Sequence, residues 1–297
     1  MLARADDGRL TLERDGKDWP LRDFSRFVEA AGLRWHVQIL GDGPTLLLVH
    51  GTGASTHSWR DLAPLLARRF RVVAPDLPGH GFTDPMKPGT LSLPGMARAL
   101  GALVRHLGPS PEVAVGHSAG AAILAKLCID GTIPPRLLIS LNGAWLPFEG
   151  VAGQIFPPMA KLLFLNPLAP RLFAWSADRH ATSRLLRGTG STIDVRGVDL
   201  YRRLFSNPAH VAGALGMMAN WDLDALKREW PRLTTRVALV VGDDDKAVPP
   251  KTADIVAAAL PNATAYHLKG LGHLAHEEQP DKVAALIEEL ATQAGAF

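Results

Sequence analysis

Five residues constrain this chain more than any others: Gly116-His117-Ser118-Ala119-Gly120, set between the apolar run Glu112 to Val115 and the helical pattern Ser118 to Cys128. A buried strand that turns at once into a helix has room at the turn only for small residues. The residue at its apex takes a strained backbone, and a serine there projects its Oγ from the sheet edge. Strand-then-helix order of this kind belongs to a parallel sheet with helices against its faces. Outside that context the same five residues would be no more than a glycine-rich turn.

The rest of the chain repeats the rhythm. Leu33 to Ile39, Thr45 to Val49, Arg71 to Ala74, Leu137 to Leu141, Val237 to Val241 and Thr264 to Leu268 read as further short strands. Trp59 to Leu66, Met96 to Leu107, Ala253 to Leu260 and Asp281 to Ala291 have amphipathic helical spacing. The fold class expected is α/β, a mostly parallel twisted sheet flanked by helices. The rhythm fails from about Trp145 to Trp230, which has helical patches, several prolines and no convincing buried strand. Residues 145–230 are therefore expected to form a helical cap inserted after the sixth strand position of a core made of residues 1–144 and 231–297.

Composition narrows the partners. A formal charge of +3 spread over 297 residues argues against nucleic acid. No window holds the roughly 18 apolar residues of a membrane span, although Val151 to Trp175, interrupted by Lys161 and Arg171, suits peripheral membrane contact. The charged start MLARADDGRLTLERDGKDWP has no signal-peptide core, so the expected location is cytoplasmic. The single cysteine, Cys128, reads as a core thiol. No zinc spacing occurs, and neither a metal nor a cofactor is expected.

A serine hydroxyl is a weak nucleophile and needs a base within hydrogen-bond reach, itself oriented by an acid. After the strand Val237 to Val241 comes Gly242-Asp243-Asp244-Asp245-Lys246-Ala247-Val248-Pro249, three carboxylates at a strand's C-terminal end, where open α/β sheets build their sites. After the next strand comes Gly270-Leu271-Gly272-His273-Leu274-Ala275-His276, whose glycines let His273 bend over the sheet edge, while His276 falls near the last helix. Leu141-Asn142-Gly143 offers no acid at the alternative position. His50-Gly51-Thr52-Gly53, ending the strand Thr45 to Val49, would supply the N–H of Thr52 beside that of Ala119 as an oxyanion hole. His36, His57, His106 and His267 have no partner motif and read as structural.

With Ser, Asp and His in this chain order, the sequence resembles the α/β-hydrolase superfamily from about Phe27 to its C-terminus. His50-Gly51, the loop Asp76-Leu77-Pro78-Gly79-His80-Gly81-Phe82-Thr83-Asp84, the serine turn and Gly270-Leu271-Gly272-His273 each look like the family's matching stretch. The resemblance implies that the acid is the aspartate three residues after Gly242 and four before Pro249, which is Asp245. It implies catalytic Ser118, Asp245 and His273, and it argues against dehalogenase and epoxide-hydrolase chemistry, which places aspartate at the turn. Ala119-Gly120-Ala121 departs from the bulkier Met-Gly-Gly and suggests a wider pocket beside Ser118.

At finer grain, the stretches Phe27 to Gln38 and His50 to Asp61 resemble the BchO-type hydrolases, described as magnesium-chelatase accessory factors of bacteriochlorophyll biosynthesis. That resemblance implies a small-molecule ester of the pathway, a tetrapyrrole among the candidates, and an association with magnesium chelatase. Two other readings stand beside esterase: an accessory protein that holds a tetrapyrrole without turning it over, and a non-hydrolytic enzyme on the same fold. For a ligand with carboxylates, the basic residues Lys161, Arg171, Arg179, Arg184, Arg187, Arg196, Arg202 and Arg203 are candidates to line the pocket mouth. Phe156, Leu162, Leu163, Phe164, Phe173 and Trp175 would cover its apolar body.

Overall fold

The computed structural model describes residues 8–147, 166 and 168–297. Its centre is one eight-stranded sheet: β1 (Ser25–Ala30), β2 (Leu33–Leu40), β3 (Thr45–Val49), β4 (Arg71–Pro75), β5 (Val113–His117), β6 (Leu137–Leu141), β7 (Arg236–Gly242) and β8 (Ala263–Leu268). The spatial order is β1-β2-β4-β3-β5-β6-β7-β8, antiparallel at β1, β2 and β4 and parallel from there on. The expected strands are all present. The addition is β1, an edge strand whose half-exposed sequence Ser25-Arg26-Phe27-Val28-Glu29-Ala30 carries little apolar signal. It folds back on β2 through Ala31 and Gly32, both at positive φ, as a tight two-residue hairpin requires.

Helices α1 (Leu12–Asp15), α2 (Leu62–Leu66), α3 (Leu93–Leu107), α4 (Ala119–Ile129), α5 (Ala169–Ser176), α6 (Arg179–Gly188), α7 (Val195–Phe205), α8 (Pro208–Ala219), α9 (Leu223–Glu229), α10 (Lys251–Ala259), α11 (Ala275–Glu278) and α12 (Pro280–Gln293) surround the sheet. The central strands are buried on both faces, and period-two alternation sorts their side chains. Leu47, Val49, Ala114, Leu138 and Leu239 face the layer that contains α3 and α4. Leu46, Leu48, Val115, Ile139 and Val240 face the layer of α2 and α12. The expected helix Trp59 to Leu66 is instead split into a 3₁₀ turn, Thr56–Trp59, and α2, since Pro64 has no N–H to bond the carbonyl of Arg60, whose side chain is buried in an ion pair with Glu277.

Between β6 and β7 the regular elements of the described chain are helices. Four successive helices there begin on a short polar side chain that caps a free backbone N–H. Asp178 accepts from Ala181 N, Asp194 from Gly197 N, Asn207 from His210 N and Asp222 from Ala225 N, at 2.6 to 3.1 Å. Among the described residues no helix is long and apolar enough to cross a membrane.

This layering makes a simple stability prediction. Leu47→Ala, at a fully buried position in mid-sheet, should destabilise the protein by about 2 to 5 kcal/mol, whereas Val195→Ala, at a largely exposed one, should stay within about 0.5 kcal/mol. Urea unfolding checks it, through midpoints that differ while the slopes do not. Equal midpoints would contradict the assignment of Leu47 to the core.

Candidate active site

The strand order reverses at β3, whose neighbours are β4 and β5, so the loops leaving the C-terminal ends of β3 and β5 open side by side. Such a switch point is where open α/β sheets hold ligands. Val49 pairs with Gly116, which brings His50-Gly51-Thr52-Gly53 against His117-Ser118-Ala119. A Cβ on Gly51 would lie 2.9 Å from the Ser118 Cβ.

Ser118 sits at φ 51, ψ −119, a region that a non-glycine residue enters only when its surroundings force it. Those surroundings are visible. Its N–H donates to Leu141 O at 3.0 Å, and its carbonyl accepts from Ala144 N at 3.0 Å. A Cβ on Gly120 would collide with the carbonyl of Val49, and one on Gly116 with the first turn of α4, so both positions must be glycine. Ala119 is buried in the layer that contains α4.

Of the three consecutive aspartates, Asp245 is the one beside His273. The His273 Nδ1 donates to Asp245 Oδ2 at 2.8 Å. The same oxygen accepts from Asn142 Nδ2 at 2.8 Å, and Oδ1 accepts from Ala247 N and Val248 N, each at 2.8 Å. Four donors fill the acceptor sites of a carboxylate and fix its plane. Asp243 turns the other way, to the exposed His267 at 2.8 Å, and Asp244 is exposed. The loop around His273 is pinned along its length. His117 Nε2 donates to His273 O at 2.9 Å, Leu274 N to Ser191 Oγ at 2.7 Å, and Gly272 N to Glu278 at 2.9 Å. Asn142, His117, Ser191 and Glu278 escape the sequence reading because each acts on backbone or on another side chain, which no spacing rule records.

His276 is buried between Trp59 and His117, with ring centroids 4.6 Å from each, behind the strand ends. It occupies core, and the half-buried Cys128 packs against core, its thiol pushed up to about 12 by burial. His36, expected to be structural, is so: its Nδ1 donates to Asp76 at 2.8 Å. Burial alone would raise the Asp76 carboxyl, but His36, His50 and the Phe82 N–H hold it well below the ordinary range. Among the described residues no three His, Cys, Asp or Glu side chains gather as a metal site requires.

The helices between β6 and β7 are tied to the core at a buried cluster. Arg60 pairs with Glu277, which also accepts from Tyr201 at 2.8 Å, and Arg60 reaches Asp194 at 3.2 Å. Burial raises the Glu277 carboxyl to about 7 against the pull of Arg60. Of the arginines expected at the pocket mouth, Arg179 and Arg202 pair with Asp199 and Arg203 with Asp18, while Arg171, Arg184, Arg187 and Arg196 lie exposed. Paired surface charges of this kind form a solvated face. Trp175 points outward at 86% exposure, so it covers no pocket; Lys161, Phe156, Leu162, Leu163 and Phe164 lie outside the described residues. A cleft of about 250 Å³ opens beside the Asp76 to Asp84 loop, lined by Arg14, Arg34, Phe82 and Asn207 and not by Ser118.

Eight of the eleven histidines are buried, and burial holds six of them, His50, His57, His80, His117, His210 and His276, below the ordinary 6.5. Below pH 6.5 the unfolded chain binds protons that these rings refuse, His210 until about pH 4 and His276 until about pH 3. Stability must therefore fall with pH in that window, by about 1.4 kcal/mol per pH unit for each such ring. Glu277 and His267 act oppositely, Glu277 favouring the folded state as pH falls from about 7 towards 4.5, and His267, raised by its bonds to Asp254 and Asp243, as pH falls towards 6.5. Six rings against these two groups leave a net loss, and the urea midpoint at pH 5 should lie well below that at pH 7.5. An unchanged midpoint would contradict neutral burial of the rings.

Comparison with known proteins places the fold in a family. Residues 44–280 match the α/β hydrolase fold family. The magnesium-chelatase 30 kDa subunit of Rhodobacter capsulatus is 41% identical over 91% of this chain and 95% of its own length. Haloalkane dehalogenase 2 of Mycobacterium tuberculosis is 27% identical over 89% of this chain and 94% of its own. Among solved structures, an α/β hydrolase fold protein from Burkholderia ambifaria superposes with a TM-score of 0.77 at 25% identity, covering 90% of this chain and 98% of that one. With its serine turn, sheet order and near full-length match, the chain belongs to the α/β-hydrolase fold family.

Proposed function

We propose that this protein is a cytoplasmic serine hydrolase that splits an ester or related acyl bond through Ser118, His273 and Asp245, with the helices of residues 145–230 as its cap. The observation that carries the reading is the Asp245 carboxylate, saturated by four donors and bonded to His273 Nδ1, in a molecule that forces Ser118 into the strained backbone of a nucleophile turn. An acceptor on Nδ1 fixes the proton there and leaves Nε2 as the base. His273 Nε2 takes the Ser118 proton as Oγ attacks the acyl carbon, and the N–H groups of Thr52 and Ala119 receive the oxyanion. Among the described residues neither N–H has another acceptor. The imidazolium protonates the leaving alkoxide, and the alcohol departs. Water then attacks the acyl-serine, giving its proton to His273 and releasing the acid as Ser118 regains its hydrogen.

The kinship with a magnesium-chelatase subunit supports a substrate from bacteriochlorophyll biosynthesis, a tetrapyrrole ester among the candidates, and contact with magnesium chelatase. It equally favours a second reading, an accessory protein that holds a tetrapyrrole without hydrolysis.

Ser118→Ala should lower kcat on p-nitrophenyl butyrate by on the order of 10⁶ with the circular dichroism spectrum unchanged. Asp245→Asn should lower it by about 10⁴, and Asp243→Asn and Asp244→Asn far less. A folded Ser118→Ala protein retaining more than a tenth of the wild-type rate would remove the nucleophile and leave the accessory reading.

A further inference from the structure

The inner face of α8 carries His210, Gly213 and Met217 at i, i+3 and i+7, and all three meet loops at the C-terminal edge of the sheet. His210 is buried, its Nδ1 accepting from Gly81 N at 3.1 Å and its Nε2 donating to Gly53 O at 3.0 Å. Gly213 lies directly on Gly79, where any Cβ would strike the Gly79 carbonyl. Met217 Sδ accepts from the Thr52 hydroxyl at 3.5 Å. Only the neutral Nε2–H ring satisfies both His210 partners, since an amide N–H needs a lone pair and a carbonyl needs a proton.

The effect of that bond passes through two peptide planes. Residues 51–54 form a tight turn, with Ala54 N donating to Gly51 O at 3.2 Å and Gly53 at φ 78. In a trans peptide the C=O and N–H point in opposite directions. Fixing the Gly53 carbonyl towards His210 therefore directs the Ala54 N–H of the same peptide to Gly51 O. Fixing Gly51 O, which also accepts from His50 Nδ1 at 2.8 Å, directs the Thr52 N–H of that peptide the opposite way, away from both donors.

We propose that His210 is a positioning residue for the oxyanion hole: from the inserted helix α8 it orients the Gly51–Ala54 turn so that the Thr52 N–H stays aimed at the reacting oxygen. This rests on the reading of Ser118 as nucleophile. It makes α8 a fixed wall of the site, on which acyl transfer depends although His210 touches no reacting atom.

The test compares wild type with His210→Leu, which keeps bulk without hydrogen bonds, and His210→Gln, whose amide offers one acceptor and one donor. With p-nitrophenyl acetate, His210→Leu should lower kcat about 10- to 100-fold, below the 10² to 10³ for a deleted oxyanion donor, with KM within about twofold. His210→Gln should recover to within about fivefold of wild type. Amide hydrogen exchange at Gly81 and Ala54 should quicken at least about tenfold in the leucine variant, scaled to a lost hydrogen bond. A folded His210→Leu protein with wild-type kcat overturns the proposal, as does a glutamine variant as impaired as the leucine one, which would mark a packing role. Should the wild type not turn over the ester, the Ser118 reading fails and the oxyanion role falls with it. Exchange at Gly81 and Ala54 would then report only whether His210 holds the turn.

Discussion

The site depends on one close approach, that of α4 to the ends of β3 and β5. At Gly120 the helix backbone comes so near the Val49 carbonyl that a single Cβ would part them, and at Gly116 the strand meets the first helical turn with no more room. This contact holds Ser118 at a positive φ that would otherwise relax, at a strain of about 1 to 3 kcal/mol. The same contact sets the N–H of Ala119 beside the turn after β3. Packing of two double-buried strands against a helix thus sets the chemistry, and the two glycines are where the packing is least forgiving.

Around that contact the molecule uses buried neutral imidazoles as rigid connectors. His50 ties Leu77 N to Gly51 O, His117 holds the carbonyl of His273, and His210 ties Gly81 N to Gly53 O. His50 and His210 each join backbone groups of neighbouring loops, a task that suits a ring with one donor and one acceptor on opposite sides, while His117 makes a single such bond. Neutrality is the condition for these bonds, and burial supplies it. The helices between β6 and β7 enter the same system through His210, Met217 and the Arg60, Glu277 and Tyr201 cluster, so they are part of the site's framework and not a separate unit laid over it.

Much of this was legible in the residues, for reasons that differ from part to part. The parallel strands were readable because burial on both faces demands continuous apolar runs, and Ser118 because the turn tolerates few alternatives to Gly116 and Gly120. Asp245 needed the family resemblance, since periodicity could not separate three consecutive aspartates; the structure separates them by sending Asp243 to His267 and Asp245 to His273. The hairpin strand β1 was hidden by its polar edge. Asn142 was weighed only as a missing acid, yet its amide donates to the Asp245 carboxylate. The basic residues of the inserted helices pointed to a ligand carboxylate, but charge count does not report partners, and Asp199 and Asp18 pair with three of them. Kinship with a chelatase subunit and with a dehalogenase on one scaffold shows why fold alone does not name a substrate.

The most direct measurement is mass spectrometry of the intact protein after incubation with a fluorophosphonate, followed by peptide mapping. The account predicts a single phosphonyl adduct on the peptide containing Ser118, formed at neutral pH and absent from correctly folded His273→Ala protein on the same time scale. A folded wild-type protein that gains no adduct, or gains one elsewhere in the chain, would contradict an activated Ser118.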